Sequence, residues 1–263
     1  MLKPSYIEQL PKRLIELYSD VEIGIIAHMA ERIKAQNMFI PSVQWQYQKL
    51  IEMGNFHSFI VEALASQLGT TRQEVERLML EAGQKAIALD TTIYRKAGLS
   101  PPTISQSHGM QQVIRSGYDN TMGLFENLTN TTANTATKQF EQVLDKTWLN
   151  VNSGAFSHTE ATKIAIDDLA SKGLKAIEYP SGHTDYLDVA VRRATVTGVN
   201  QTAAKVQEEL ADELDSDLVE TTAHSGARPD HVQWQGKVFS RSGASKKYPP
   251  FRESTGYGTG AGL

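Results

Sequence analysis

Two histidines seven positions apart, His224 and His231, are the side chains in this sequence best suited to hold a metal ion or to move a proton. Arg228, Pro229 and Asp230 lie between them, and Trp234, Gln235, Gly236 and Lys237 follow. Two neutral imidazoles supply half of a tetrahedral zinc site, but six intervening residues match neither an HExxH helix nor a zinc-finger histidine pair. Asp230 or Glu220 can add an oxygen ligand. Two readings stand side by side. In one, His224, His231 and Asp230 serve a metal-dependent nuclease or other hydrolase. In the other they scaffold a tight module, each imidazole bonded to a backbone carbonyl. Arg228 divides in the same way, into an anion clamp or half of a salt bridge, with Pro229 setting a turn and Asp230 closing an Asx bond.

Little else offers chemistry. The chain has no cysteine, which removes disulfides, thiolate ligands and a Cys nucleophile. The glycines after Arg241 match neither GxxxxGK[ST] nor a GxGxxG run between strand and helix, and no GxSxG occurs. Arg192 and Arg193 suit a phosphate. Asp188 one turn upstream and Asp185 two turns upstream make an intrahelical ion pair the simpler expectation. Arg241, Lys246, Lys247 and Arg252 are the cations through which a DNA-contacting protein would act. General DNA wrapping is disfavoured by a formal net charge of −4, and residues 101–215 carry nine basic against fifteen acidic side chains.

The elements that must position these residues read as mainly α, with long helices and a small α+β module at the C-terminus. Three segments are expected: a helical region over 1–100, a helical body over 101–215, and a β-containing module, possible only in part within this chain, over 216–263. Leu10, Leu14, Leu17, Val21, Ile25 and His28 or Met29 recur at helical spacing, predicting a helix to about Gln36. A short helix over Val43 to Met53 should end at Gly54-Asn55, and another should cover Phe56 to Leu68. Thr71 with Glu74 forms a capping-box pattern, predicting a fresh helix start and a run to about Ala97. Gly98 and the prolines of "GLSPPTIS" then mark an elbow or boundary.

From Met110 to Trp148 the pattern is helical, although "ENLTNTTANTATKQFEQVL" is rich in Asn and Thr. Such a segment owes its helicity to packing rather than to intrinsic preference, or else is a solvated, frayed helix. Ser157 and Glu160 supply a second capping box, with Gly173 as the stop. A Pro-Ser-Gly turn precedes a helix from near Asp185. Gly198 interrupts that helix at about 1 kcal/mol relative to Ala unless close packing or a kink uses it. After Asp217, "LVETTAH" and "KVFS" are short β-like runs. No continuous run approaches the roughly 18 to 20 apolar residues of a membrane span, and no leader is evident, so a start in the cytoplasm without a membrane anchor is expected.

The run from Tyr179 to Gly243 resembles the phage minor capsid protein 2 family and is distantly similar to the Mu F-like minor head proteins. The resemblance rests on Arg192, Arg193, Thr197, Gly198, Asn200 and Gln201, and on His224, Gly226, Ala227, Arg228, Pro229, His231, Trp234, Gln235, Gly236 and Lys237. It is close from Tyr179 to about Gly262 and loose over the N-terminal helices. It implies a non-enzymatic virion protein of a tailed phage, made in the bacterial host cytoplasm. Such a protein acts in head morphogenesis at or near the portal, inside the capsid, in several copies per portal ring. The portal protein is the implied partner, with other capsid proteins and packaged or ejected DNA as further contacts. Family members continue beyond a segment like "TGYGTGAGL" into a Cys- and His-bearing stretch. In such a longer form the resemblance implies a structural zinc whose ligands would include His224 and His231. Within these 263 residues no cofactor is expected, and the motif residues are expected to be structural.

Overall fold

The computed structural model describes residues 2–221, 223, 229 and 231–257. In chain order these form α1 (Pro4–Ile7), α2 (Lys12–Ala35), α3 (Ser42–Lys96), α4 (His108–Asn152), α5 (His158–Lys172), β1 (Lys175–Glu178), β2 (Thr184–Tyr186), α6 (Leu187–Glu213), β3 (Leu218–Glu220), a 3-10 turn (Val232–Trp234), β4 (Val238–Ser240) and α7 (Phe251–Thr255). The chain is therefore mainly α with long helices. β1 pairs antiparallel with β2, and β3 with β4.

Two compact units divide the chain. One comprises Lys3–Glu81 and Arg115–Gln201, the other Met1–Leu2, Ala82–Ile114 and Thr202–Leu263. Both are discontinuous in sequence because α3, α4 and α6 each contribute residues to both.

In the first unit α2 buries Leu14, Tyr18, Ile25, Met29 and Ile33. Tyr18 replaces Leu17 as the buried side chain of its turn, with Leu17 half-buried beside it. Two aromatic pairs join α3 to α4. Phe56 meets Phe140 at 4.5 Å between centroids, and Trp45 stacks on Trp148 at 6.0 Å and 10°. Such ring pairs add about 0.5–1.5 kcal/mol each beyond the area they bury.

The breaks expected inside α3 do not occur. The helix runs unbroken through Gly54-Asn55 and through Gly69-Thr70-Thr71. Thr71 is not a cap: it is buried in mid-helix, and its hydroxyl lies 3.4 Å from the Tyr18 hydroxyl as donor. Glu74, also buried, pairs with Arg77 at 2.6 Å rather than turning back to Thr71. Glycine in a helix interior costs about 1 kcal/mol relative to Ala, and burying a residue such as Phe56 or Ile60 returns about 1.5–3 kcal/mol. Packing therefore decides in favour of continuity.

Gly98 does stop α3, at φ 83°, with the Leu99 amide donating to the Tyr94 carbonyl at 3.0 Å. Ser107 then caps α4 by accepting the Met110 amide at 2.9 Å. The Asn/Thr-rich stretch of α4 is held by packing: Thr129 and Thr132 are buried alongside Leu128, Ala133, Ala136 and Phe140. The hydroxyls of Thr129 and Thr137 return to the Phe125 and Ala133 carbonyls of the helix itself. The second capping box is present, with the Ser157 hydroxyl accepting the Glu160 amide and Glu160 accepting the Ser157 amide, each at 3.2 Å. Gly173, at φ 75°, ends α5.

A hairpin takes the place of the simple turn expected before α6. β1 and β2 pair Ile177 with Asp185 and Glu178 with Thr184 around a turn closed by the Gly182 amide on the Tyr179 carbonyl. Asp185 thus lies on a strand, and α6 starts two residues later at Leu187. Two polar side chains hold the approach to the hairpin. Glu22 accepts the Leu174 amide at 2.6 Å, and Gln139 bridges the Gly173 carbonyl and the Lys175 amide at 3.0 and 3.1 Å.

In the second unit Ile87, Ile104, Met110, Val206 and Leu210 form a buried cluster. Gln207 of α6 donates to Asp90 of α3 at 2.6 Å beside it.

Two glycine substitutions check helix continuity and packing by urea denaturation. Nothing lies within 4 Å of a Cβ placed at Gly54, so Gly54→Ala should stabilise the protein by about 0.5–1 kcal/mol if α3 is unbroken there. A Cβ at Gly198 would meet Thr121 Cγ2 at 3.0 Å and Cβ at 3.1 Å, with its hydroxyl closer still. Gly198→Ala should therefore destabilise by about 1–3 kcal/mol through overpacking.

Candidate functional site

The signature residues that the structure describes fall in two places, one in each unit. In the first unit, Arg193 on α6 reaches a carboxylate that is almost wholly buried. Its Nη1 lies 2.7 Å from Asp185 Oδ2 and its Nη2 donates to Oδ1 at 3.2 Å, a two-pronged pair. The partner sits across the strand-to-helix junction and not on the same helix, which corrects the intrahelical pairing expected from the spacing. Tyr179 donates to Asp185 Oδ2 at 2.9 Å, Arg193 donates to the Tyr179 hydroxyl at 2.6 Å, and His183 Nε2 stands 3.1 Å from Oδ1. The Asp185 side chain is 2% exposed, and Arg193, Tyr179 and His183 lie within hydrogen-bond distance of its two oxygens. Burial, followed by the hydrogen bond to Asp185, pushes the Tyr179 hydroxyl above its ordinary pKa, which keeps it a donor.

Gly198 lies one to two turns further along α6, against Thr121 of α4. Close approach of the two helices accounts for the glycine, as the packing alternative anticipated. Asn200 is half-buried; Arg192 and Gln201 are exposed.

In the second unit, Trp234, Gly236 and Lys237 lie next to the β3–β4 ladder. The Thr221 amide donates to the Lys237 carbonyl and the Gly236 amide to the Thr221 carbonyl, each at 3.0 Å. The Thr221 hydroxyl donates to the Trp234 carbonyl and accepts the Lys237 amide at 3.2 Å. Gly236 has φ 63°, the left-handed region open to glycine, which explains its place after the 3-10 turn. The Trp234 ring is buried and packs against His231 at 4.6 Å between centroids. Gln235 is half-buried, and Pro229 is exposed.

Arg241 has an internal task. It pairs with Asp212 at 2.8 Å and donates to the Ser216 and Glu208 carbonyls at 3.1 and 3.3 Å, neutralising the C-terminal end of α6. Of the four cations named for a DNA surface, Arg241 is thus paired within the chain. Lys246, Lys247 and Arg252 are exposed. Asp217 fastens the far edge of β4 by accepting the Ser240 hydroxyl at 2.6 Å and the Ser242 amide at 2.7 Å. Those two bonds hold its carboxyl below the usual aspartate range.

His224, Gly226, Ala227, Arg228 and Asp230 lie outside the described residues. Of the expected zinc pair only His231 is described, and it stands against Trp234. Among the described residues no group of three or more His, Asp or Glu could hold a metal ion.

Sequence reasoning overlooked Lys49, a buried cation on α3. It lies 2.8 Å from Asp145 and 3.3 Å from Glu141 of α4, while Trp45 donates its indole N–H to Asp145 at 3.2 Å. Burial pulls the ammonium down, but the hydrogen bonds and charges of the two carboxylates outweigh it and leave its pKa raised. Trp45 and Lys49 at i and i+4, on a stretch otherwise lacking a cation, were the available signal.

A family model for phage minor capsid protein 2 matches residues 2–263. The chain belongs to this family. A structural protein of Lactococcus phage LL-H is 23% identical over 267 residues, which cover 96% of this chain and 70% of that protein. No solved structure matches the chain. Membership of the minor capsid protein 2 family supports a structural role in a phage. No helix among the described residues is long and apolar enough to cross a membrane.

Two measurements probe the polar anchors. Arg193→Met leaves Asp185 buried without its main partner and should destabilise by about 2–3 kcal/mol in urea, short of a fully buried pair because Arg193 is half exposed. Adding Asp185→Asn should recover part of that loss, and additive effects would refute the pairing. Because the folded Asp217 pKa is depressed, its contribution is present above the ordinary aspartate range and lost as pH falls through the folded value. Amide exchange at Ser242, corrected for its intrinsic rate, should accelerate over that acidic window, and Asp217→Ala should produce the same opening at neutral pH.

Proposed function

We propose that this chain is a non-catalytic assembly protein of a tailed-phage head. It docks helical faces on the portal ring at the inner side of the capsid, in several copies per ring. The observation that carries the reading is where the family signature goes in a chain matched from residue 2 to 263. Arg193 holds Asp185, Gly198 admits Thr121, and Trp234, Gly236 and Lys237 knit the strand module. Residues selected to build a frame serve positioning better than turnover. Long amphipathic helices suit the partner, since laying an apolar helix face into a groove is an established mode of protein recognition.

Native mass spectrometry after co-expression with the portal protein of the same phage tests this directly. A discrete portal ring carrying several copies is the expected result, and the same spectrum reads any bound zinc. A free chain beside an undecorated ring overturns the docking. Metal-stimulated nuclease activity, abolished by His231→Ala in a protein that still folds, overturns the non-catalytic reading.

A further inference from the structure

His28 on α2 is surrounded in a way that suits only the neutral imidazole. Its ring lies 3.8 Å from the Phe59 ring of α3 and 6.1 Å from that of Phe56, measured between centroids. One turn along α2, the Arg32 Nε–H points at His28 Nε2 from 3.3 Å. A guanidinium only donates, so Nε2 is the acceptor and the single ring proton sits on Nδ1. That nitrogen is buried and has no hydrogen-bond partner among the described residues.

A second proton has to go to Nε2. It would set two donors and two positive charges face to face, and the new cation would lack a hydrogen bond at either nitrogen. The carboxylates near enough to compensate are Glu31 of α2 and Glu52 of α3. Glu31 is exposed, and Glu52 is already bound by Arg32 at 2.5 Å. Burial first, and then the Arg32 charge, push the imidazole below the ordinary histidine pKa against the pull of those two carboxylates.

Arg32 also fastens the C-terminal end of α2 to α3. Besides binding Glu52, it offers its carbonyl to the Gln36 side chain at 3.2 Å, and the Gln36 side chain accepts from Gln48 of α3 at 2.5 Å. A charge arriving on His28 therefore acts on the residue through which the two helices are joined.

We infer that His28, Arg32 and Glu52 form a proton-sensitive latch between α2 and α3, closed while the imidazole is neutral and loosened when it takes a second proton. The imidazolium repels the Arg32 guanidinium, and the contacts with Glu52 and through Gln36 to Gln48 weaken with it. The latch lies within the chain and acts with or without a portal. The opened state binds a proton that the closed state refuses. The latch's contribution is thus complete above the ordinary histidine value of about 6.5 and is lost as pH falls through that value toward the lower folded one.

Amide hydrogen exchange of the purified chain at about pH 7.5 and about pH 5.5, corrected for intrinsic rate, is the test. Residues 28–36 and 44–59 should exchange about 5- to 10-fold faster at the lower pH, since one proton is worth at most about tenfold per pH unit. His28→Gln cannot titrate, and its amide oxygen can still accept from Arg32, so its protection in these segments should not change with pH. The other six histidines are common to both proteins and cancel in the comparison. Should His28→Gln fail to fold, the wild-type ring titration followed by NMR decides. His28 should hold its proton on Nδ1 and titrate below the ordinary histidine value, and Arg32→Gln should move that titration upward. Equal acceleration in wild type and His28→Gln overturns the inference. So does a His28 ring that titrates at or above the ordinary value, or one that Arg32→Gln leaves unmoved.

Discussion

A helix of 55 residues cannot be held by its own backbone, because intrinsic helix stability is marginal and α3 contains three glycines, an asparagine and paired threonines that weaken it further. What keeps it continuous is the row of side chains it buries along its length. Trp45, Phe56, Ile60 and Leu64 pack in the first unit, and Ile87 does so in the second. Neighbouring helices of the first unit supply much of that burial. α4 supplies Phe140 and Trp148 to cover the aromatic rings, and its Asp145 and Glu141 neutralise the one lysine that the packing encloses. α2 contributes Tyr18, which meets both Phe125 and Thr71.

Local signals in the sequence were reliable where a single turn decided the outcome. Gly98, the Ser157–Glu160 box and Gly173 all act as their chemistry suggests, because a left-handed glycine or a reciprocal cap is settled by a few neighbouring residues. Gly54-Asn55 and Thr71-Glu74 carry similar local signals and were overruled by burial, a quantity the local pattern does not contain. The β1–β2 hairpin was missed because its strands are only four and three residues long, too short for alternation to stand out. The site followed the same division. Arg193 stood out by type, but its partner required knowing that Asp185 lies on a strand across a chain reversal.

Among the signature residues described by the structure, Arg193, Gly198, Trp234, Gly236 and Lys237 make packing or hydrogen-bond contacts within the chain. A buried carboxylate ringed by Arg, Tyr and His would look like chemistry in isolation, yet each group faces another of the cluster. In the strand module, Thr221 bonds to the backbone of both Trp234 and Lys237, so one small hydroxyl fixes the chain on either side of Gly236. The polar network secures a particular register, a role for which buried polar groups are well suited when every member is satisfied.

The contact between Gly198 and Thr121 has an evolutionary consequence. Each position takes its size from the other, so the two behave as one heritable trait carried on separate helices. A lineage that enlarges residue 198 bears the least cost if residue 121 has already shrunk. Among relatives the two positions should therefore change together, a larger residue at one accompanying a smaller residue at the other.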